Sequence, residues 1–218
     1  MKVVITSATN FETVGIKPLL HPGFDVIFHK SGVGLLSSTF SLTKIVYDEQ
    51  PDLLIQAGIA GCFNANITLG KVVVVKDEFL GDTGVEENGV FKDIFDLGLE
   101  TKDGHPYFDK RLRNEGLSTL NLLRLQEVVS ITINEVTTRP ERIKQLQKKY
   151  VPVIESMEGA ALHYVALQTK TPFIQIRAIS NYIGERDKTK WKMKTALENL
   201  QNIVVKYMDE LYKEFDQR

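Results

Sequence analysis

Short runs of β-branched residues alternate with longer segments of helical period, and this alternation restricts the fold more than any other feature of the chain. The runs "KVVITS" (2–7), "FDVIFH" (24–29), "DLLIQA" (52–57), "KVVVVKDEF" (71–79), "LQEVVSITI" (125–133) and "PFIQIRAIS" (172–180) read as strands. Several are apolar at successive rather than alternate residues, as strands covered on both faces must be. Helical patterns lie near 12–20, 35–49, 140–149, 157–169 and 188–214, and helices between strands imply crossover connections. The expected fold is therefore α/β: a three-layer α/β/α sandwich on a mixed, largely parallel central sheet, forming one domain over 1–218. A chain of 218 residues is long enough to bury the core this requires. In the last helix Trp191, Leu197, Leu200, Ile203, Val204, Tyr207, Met208 and Leu211 recur at helical spacing, which predicts packing against the sheet.

Charge and cysteine usage narrow the partners. Lys and Arg total 27 against 28 for Asp and Glu, so no net field favours nucleic acid or an anionic membrane. No apolar run approaches 18 residues, and Cys62 is the only cysteine, which together predict a soluble cytoplasmic protein without disulfides. The stretch 81–108, rich in Gly, Asn and Asp with interspersed aromatics, breaks the alternation and reads as a functional or mobile segment.

In open α/β sheets ligands collect at the carboxyl ends of the strands. Applied here, that rule selects "SATNFE", "KSGVG", "AGIAG", the pair Glu155 and Glu158, and "SNYIGERD". The glycines of "SGVG" (31–34) and "GIAG" (58–61) suit close backbone approach, and equally suit tight turns. Glu12 and Glu158 each sit where a helix begins, a place that favours a carboxylate without any catalytic role. Very small residues after Glu158, in "EGAA", would let a ligand approach that helix start. Asn181, at the end of a buried strand beside Ser180, can read a ligand edge or serve a turn. His21, His29, His105 and His163 have no metal-ligand spacing among themselves or with Cys62 and are read as structural. No nucleophile elbow surrounds Ser7, Ser156 or Ser180. Residues 1–110 contain no arginine, so a bidentate phosphate clamp cannot come from the first half of the chain.

These residues carry a resemblance. "ATNFE", "SGVGLLSSTFSL", "LIQAGIAGCFNANITLGKVVVV", "IESMEGAALHYVA" and "IRAISNYIGERD" are similar, in order and spacing, to the purine nucleoside phosphorylase and nucleosidase superfamily. The 5′-methylthioadenosine/S-adenosylhomocysteine nucleosidases are similar throughout, whereas "GDTGVEENGVFKDIFDLGL" and "SNYIGERD" resemble the futalosine hydrolases.

The resemblance implies hydrolysis of an N-glycosidic bond, with release of hypoxanthine from futalosine; the alternatives it leaves are a methylthioadenosine/S-adenosylhomocysteine nucleosidase and a 6-oxopurine nucleoside phosphorylase. It implies Glu12 as the base that activates water and Glu158 as acceptor for the ribose hydroxyls. Met157 would lie beneath the sugar, and Ile133, Glu155 and Ser180 would complete the substrate site. Adenine-directed relatives carry aspartate at position 181; an asparagine there suits a 6-oxopurine but is no strong acid. Asp187 is a candidate helper for the leaving base, and Arg186 and Arg177 are candidates for the carboxylate on the 5′ substituent, with an internal structural ion pair the alternative for Arg177. No metal or organic cofactor is implied, the partner is a small nucleoside, and a homodimer or larger homo-oligomer is expected.

Overall fold

The computed structural model describes residues 1–16 and 23–216. In chain order the elements are β1 (Lys2–Ser7), β2 (Asp25–Lys30), α1 (Leu35–Glu49), β3 (Leu53–Cys62), β4 (Val72–Leu80), β5 (Gly84–Glu87), β6 (Val90–Asp93), β7 (Leu112–Arg113), α2 (Leu117–Leu120), β8 (Glu127–Thr132), α3 (Pro140–Tyr150), β9 (Ile154–Ser156), α4 (Gly159–Thr169), β10 (Phe173–Tyr182) and α5 (Met193–Asp216). The α/β sandwich on a mixed sheet is the observed architecture.

Strands β1–β2, β1–β3, β3–β10, β4–β8 and β8–β9 pair in parallel, whereas β4–β10, β3–β9 and β4–β7 are antiparallel. The long β3 runs beside both β1 and β10, and its last residues Gly61 and Cys62 also pair with Glu155 and Ile154 of β9. The path β3–β9–β8–β4–β10 thus returns to β3, closing a ring from which β1 and β2 extend.

Alternation along the strands divides the core. Val3, Ile5, Leu53, Ile55, Ile174 and Ile176 meet Leu200, Val204, Tyr207 and Met208 of α5 on one face. Val4, Leu54 and Phe173 meet Leu42 and Val46 of α1 and Leu162 and Val165 of α4 on the other. Each such fully buried side chain contributes about 1.5–3 kcal/mol. No helix among the described residues is long and apolar enough to cross a membrane.

Two expectations are corrected, and the segment 81–108 gains local structure. The segment 81–108 begins with a hairpin, β5–β6, closed by Asn88 and Gly89 at φ 51° and 75°, the left-handed pair that a two-residue hairpin turn demands. It is held down by Lys110 and Lys149, whose ammonium groups lie 3.3 and 3.1 Å from Asp93. "GIAG" is not a turn but lies inside β3, where its glycines make room for neighbouring side chains. In place of a helix at 12–20, Asn10–Glu12 form one 3-10 turn; residues 17–20 of that expected helix, and His21, lie outside the described residues.

Candidate active site

A cavity of about 460 Å³ opens at the carboxyl ends of β1, β3, β8, β9 and β10. Glu12, Ile133, Glu155, Met157, Glu158, Ser180, Asn181 and Arg186 all line it. Residues separated by more than a hundred positions therefore meet because parallel strands deliver their last residues to one edge.

Glu12 is placed by its own 3-10 turn. Thr9 donates to Glu12 Oε2 from its backbone N–H at 2.9 Å and from its hydroxyl at 3.2 Å, completing a capping box. The Ile59 N–H donates to Oε1 at 3.3 Å. Burial raises the carboxyl above its ordinary range; the Thr9 N–H and Arg177 oppose that shift, and Glu158 adds to it.

Glu158 is the N-cap of α4, 6% exposed, and accepts from the Gly34 N–H at 3.1 Å. Its other oxygen lies 3.6 Å from Arg177 Nη1. Arg177 does not line the cavity. It lies beneath the floor, 1% exposed, and donates to Gln56 Oε1 at 2.6 Å and to the Ile59 carbonyl at 3.3 Å. A β-carbon on Gly58 would fall 2.2 Å from Arg177 Nη1 and 3.2 Å from Glu12 Oε1, so this glycine is the gap through which the guanidinium reaches both carboxylates. Arg177 is thus an internal counter-ion and does not reach a substrate carboxylate.

Asn181 reaches the cavity through a bulge. Ile179 pairs with Ala60 and Asn181 with Gly61, leaving Ser180 as the extra residue that re-aims the side chain. One end of the Asn181 amide lies 3.2 Å from the Tyr182 carbonyl, an atom that only accepts, so that end is the NH₂. The other end is then the oxygen, and the Ser180 hydroxyl donates to it at 2.8 Å. The second amide hydrogen is left for whatever occupies the cavity.

Asp187 is diverted elsewhere. It caps the 3-10 turn Lys188–Lys190, accepting from the Thr189 N–H at 3.0 Å and hydroxyl at 2.7 Å, outside the cavity wall. Arg186 lines the rim with its guanidinium 5.6 Å from the centre of the Trp191 ring. Trp191 itself is a wall residue that its helical spacing disguised as packing, because α5 starts only at Met193. Thr9 and Thr137 were also missed; the Thr9–Glu12 spacing of a capping box was the available signal for the first. Among the described residues lining the cavity, Arg186 is the one cation, against the carboxylates of Glu12, Glu155, Glu158 and Glu185. Such a site favours developing positive charge and disfavours a phosphate dianion.

The chain is similar to known proteins in sequence and in fold. Over 172 residues the chain is 29% identical to the 5′-methylthioadenosine/S-adenosylhomocysteine nucleosidase of Bacillus velezensis, covering 76% of this chain and 71% of that protein. It is 27% identical to the futalosine hydrolase of Thermus thermophilus over 190 residues, 86% of this chain and 83% of that one. In fold it is similar to the nucleosidase of Colwellia psychrerythraea crystallised with adenine (TM-score 0.77, 22% identity, 97% and 96% of the two chains). The futalosine hydrolase of Helicobacter pylori is similar to nearly the same degree (TM-score 0.76, 18% identity, 98% and 97%). The family model described as Phosphorylase superfamily matches residues 20–209, and with that match spanning most of its length the chain belongs to the Phosphorylase superfamily and is an enzyme.

Proposed function

We propose that this enzyme hydrolyses the N-glycosidic bond of a 6-oxopurine nucleoside, and that its substrate is futalosine, split into hypoxanthine and dehypoxanthine futalosine in the cytoplasmic synthesis of menaquinone. The observation that carries the reading is the orientation of Asn181. With its oxygen held by Ser180, the amide offers an N–H to the cavity, matching the carbonyl at purine position 6 or ring nitrogen 7 and opposing the amine of adenine.

The remaining roles follow from the chemistry. Cleavage passes through a ribosyl cation, so groups count by how well they stabilise positive charge and deliver water. Glu12, held on both oxygens, is the base for water. Glu158 accepts from the ribose hydroxyls, and Met157 provides a polarizable surface under the sugar. Arg186, with no carboxylate partner among the described residues, is left to meet the benzoate of futalosine. The similarity to 5′-methylthioadenosine/S-adenosylhomocysteine nucleosidases supports a second reading, release of adenine from a thioether nucleoside. Leu36, Phe40 and Tyr47, exposed along α1 at 87%, 73% and 70%, support a homo-oligomer.

The test is incubation with futalosine, inosine and methylthioadenosine in phosphate-free buffer, with chromatography of the free base. Hypoxanthine from futalosine without phosphate is the expected result. Adenine as the sole product, or a strict phosphate requirement, overturns it.

A further inference from the structure

We propose that Thr132 is the positioning residue of Glu158: its buried hydroxyl caps helix α4 in the glutamate's stead and so leaves the Glu158 carboxylate free for the ribose. This rests on the hydrolytic reading above and names what keeps its sugar-binding group in place.

A helix begins with backbone N–H groups that have no partner inside it, and the N-cap side chain ordinarily accepts from the second or third helical residue. Glu158 is the N-cap of α4, yet its side chain makes no such bond. Two strand ends supply the acceptors instead. The Gly159 N–H donates to Ser156 Oγ at 3.2 Å, and the N–H of Ala160, the second helical residue, donates to Thr132 Oγ1 at 2.8 Å. The Ala161 N–H donates to the Glu158 carbonyl at 3.1 Å. The first three helical N–H groups are thus satisfied without the Glu158 carboxylate.

Sheet register brings the two hydroxyls to this point. Thr132 and Ser156 are partners in the parallel pair β8–β9, and each is the last residue of its strand, so both face one side of the sheet where α4 starts. The Thr132 hydroxyl has one hydrogen, and Glu78 Oε1 accepts it at 2.9 Å, which turns the oxygen lone pairs toward Ala160. Gly159 permits this close approach, since a β-carbon there would fall 2.2 Å from Glu78 Oε2. Thr132 and Glu78 are both fully buried and neither lines the cavity, so neither touches a ligand there.

The carboxylate spared from capping is held toward the cavity by the Gly34 N–H at 3.1 Å and by Arg177 at 3.6 Å. Gln56 braces this arrangement, accepting from Arg177 at 2.6 Å and donating to the Glu158 carbonyl at 3.5 Å. Without the Thr132 hydroxyl, the Ala160 N–H is a buried donor with no acceptor. It is also the donor that an N-cap side chain takes, so the Glu158 carboxylate turns from the ribose to its own helix.

The experiment measures kcat/KM on the ribonucleoside that wild type cleaves and on its 2′,3′-dideoxy counterpart. The proteins are wild type, Thr132→Val, Thr132→Ser, Glu158→Gln and the double variant of Thr132→Val with Glu158→Gln. Thr132→Val is expected to lose about 10–10²-fold on the ribonucleoside and under about threefold on the dideoxynucleoside. Thr132→Ser, which keeps the hydroxyl, retains the wild-type ratio, and Thr132→Val costs under about threefold more once Glu158→Gln is present. Equal losses on both sugars, or full additivity with Glu158→Gln, overturn the proposal. Should Thr132→Val fail to fold by circular dichroism, Thr132→Ala removes the same hydroxyl and is read on the same sugar ratio. A wild type that does not distinguish the two sugars overturns the Glu158 role and this proposal with it. Discrimination lost in Glu158→Gln but kept in Thr132→Val overturns this proposal alone. The identity of the base released tests the substrate reading separately, since adenine as product would overturn futalosine while leaving the sugar comparison intact.

Discussion

Arg177 Nη1 lies 3.6 Å from the Glu158 carboxylate beneath the cavity floor, and the same guanidinium lowers the proton affinity of Glu12. One buried cation therefore serves two glutamates. Without it, two acids would face each other in a poorly solvated site, and at least one would stay protonated.

Arg177→Met is expected to lower stability by about 3–5 kcal/mol, because it leaves a buried carboxylate uncompensated. Loss of the guanidinium also raises the Glu12 pKa, so the ascending acid limb of kcat/KM moves to higher pH. Urea unfolding and a pH-rate profile check both effects.

Gly61→Ala is expected to displace Ile183, which packs over this glycine, toward the cavity, since the new β-carbon falls 2.4 Å from its Cδ1. Ile183 Cδ1 is the end of a flexible side chain facing a cavity, so the fold tolerates the change while the base does not. KM should rise with little change in Tm. A large fall in Tm with unchanged KM would show that the Gly61–Ile183 wall is not where the substrate lies.

Asn181→Asp replaces the amide donor with an acceptor and should move base preference toward adenine, the hypoxanthine-to-adenine ratio of kcat/KM falling roughly 10²-fold. The gain on adenine is limited by the Tyr182 carbonyl, 3.2 Å from the side-chain atom that would become an oxygen. Competition between inosine and adenosine measures the ratio.

Arg186→Ala should raise KM for futalosine and leave that for inosine, which lacks the benzoate, unchanged. Equal effects on both would remove Arg186 from substrate recognition.

Glu78 gives a pH prediction for stability. It is wholly buried inside the strand ring, its Oε1 accepts from the Thr132 hydroxyl at 2.9 Å and its Oε2 has no partner. Burial raises its carboxyl to about 7. The folded state therefore holds a proton that the unfolded chain, titrating near 4.5, gives up, and stability falls as pH rises from about 4.5 through about 7. Glu78→Gln keeps the acceptor for Thr132 and removes this loss. Its advantage over wild type should be small at pH 4 and reach about 3 kcal/mol at most above pH 8. Melting curves across that range check the sign.

Local sequence carried the elements whose signal is strong. Strands β1, β2, β4, β8 and β10 and helices α1, α3 and α4 lie within a few residues of their sequence patterns, because an apolar run buried on both faces has few other uses. Shorter pieces escaped. Strand β9, Ile154–Ser156, has too little length for a periodic signal and exists because β3 and β8 supply partners on both sides. The β5–β6 hairpin was announced by "NG" at 88–89 but obscured by the polar residues around it.

For the site, the order of residues along the chain was enough to name the side chains that could act: Glu12, Glu155, Glu158 and Asn181 stand where strands end, and no arginine precedes residue 111. Their relations came from the folded chain. It sank Arg177 beneath the floor as a counter-ion, diverted Asp187 to a cap, and turned Asn181 through a bulge onto Gly61 opposite Glu155. Burial, charge pairing and strand register bring together residues up to about 120 positions apart, as Asn181 and Gly61 are, and no local pattern records which of them will be neighbours.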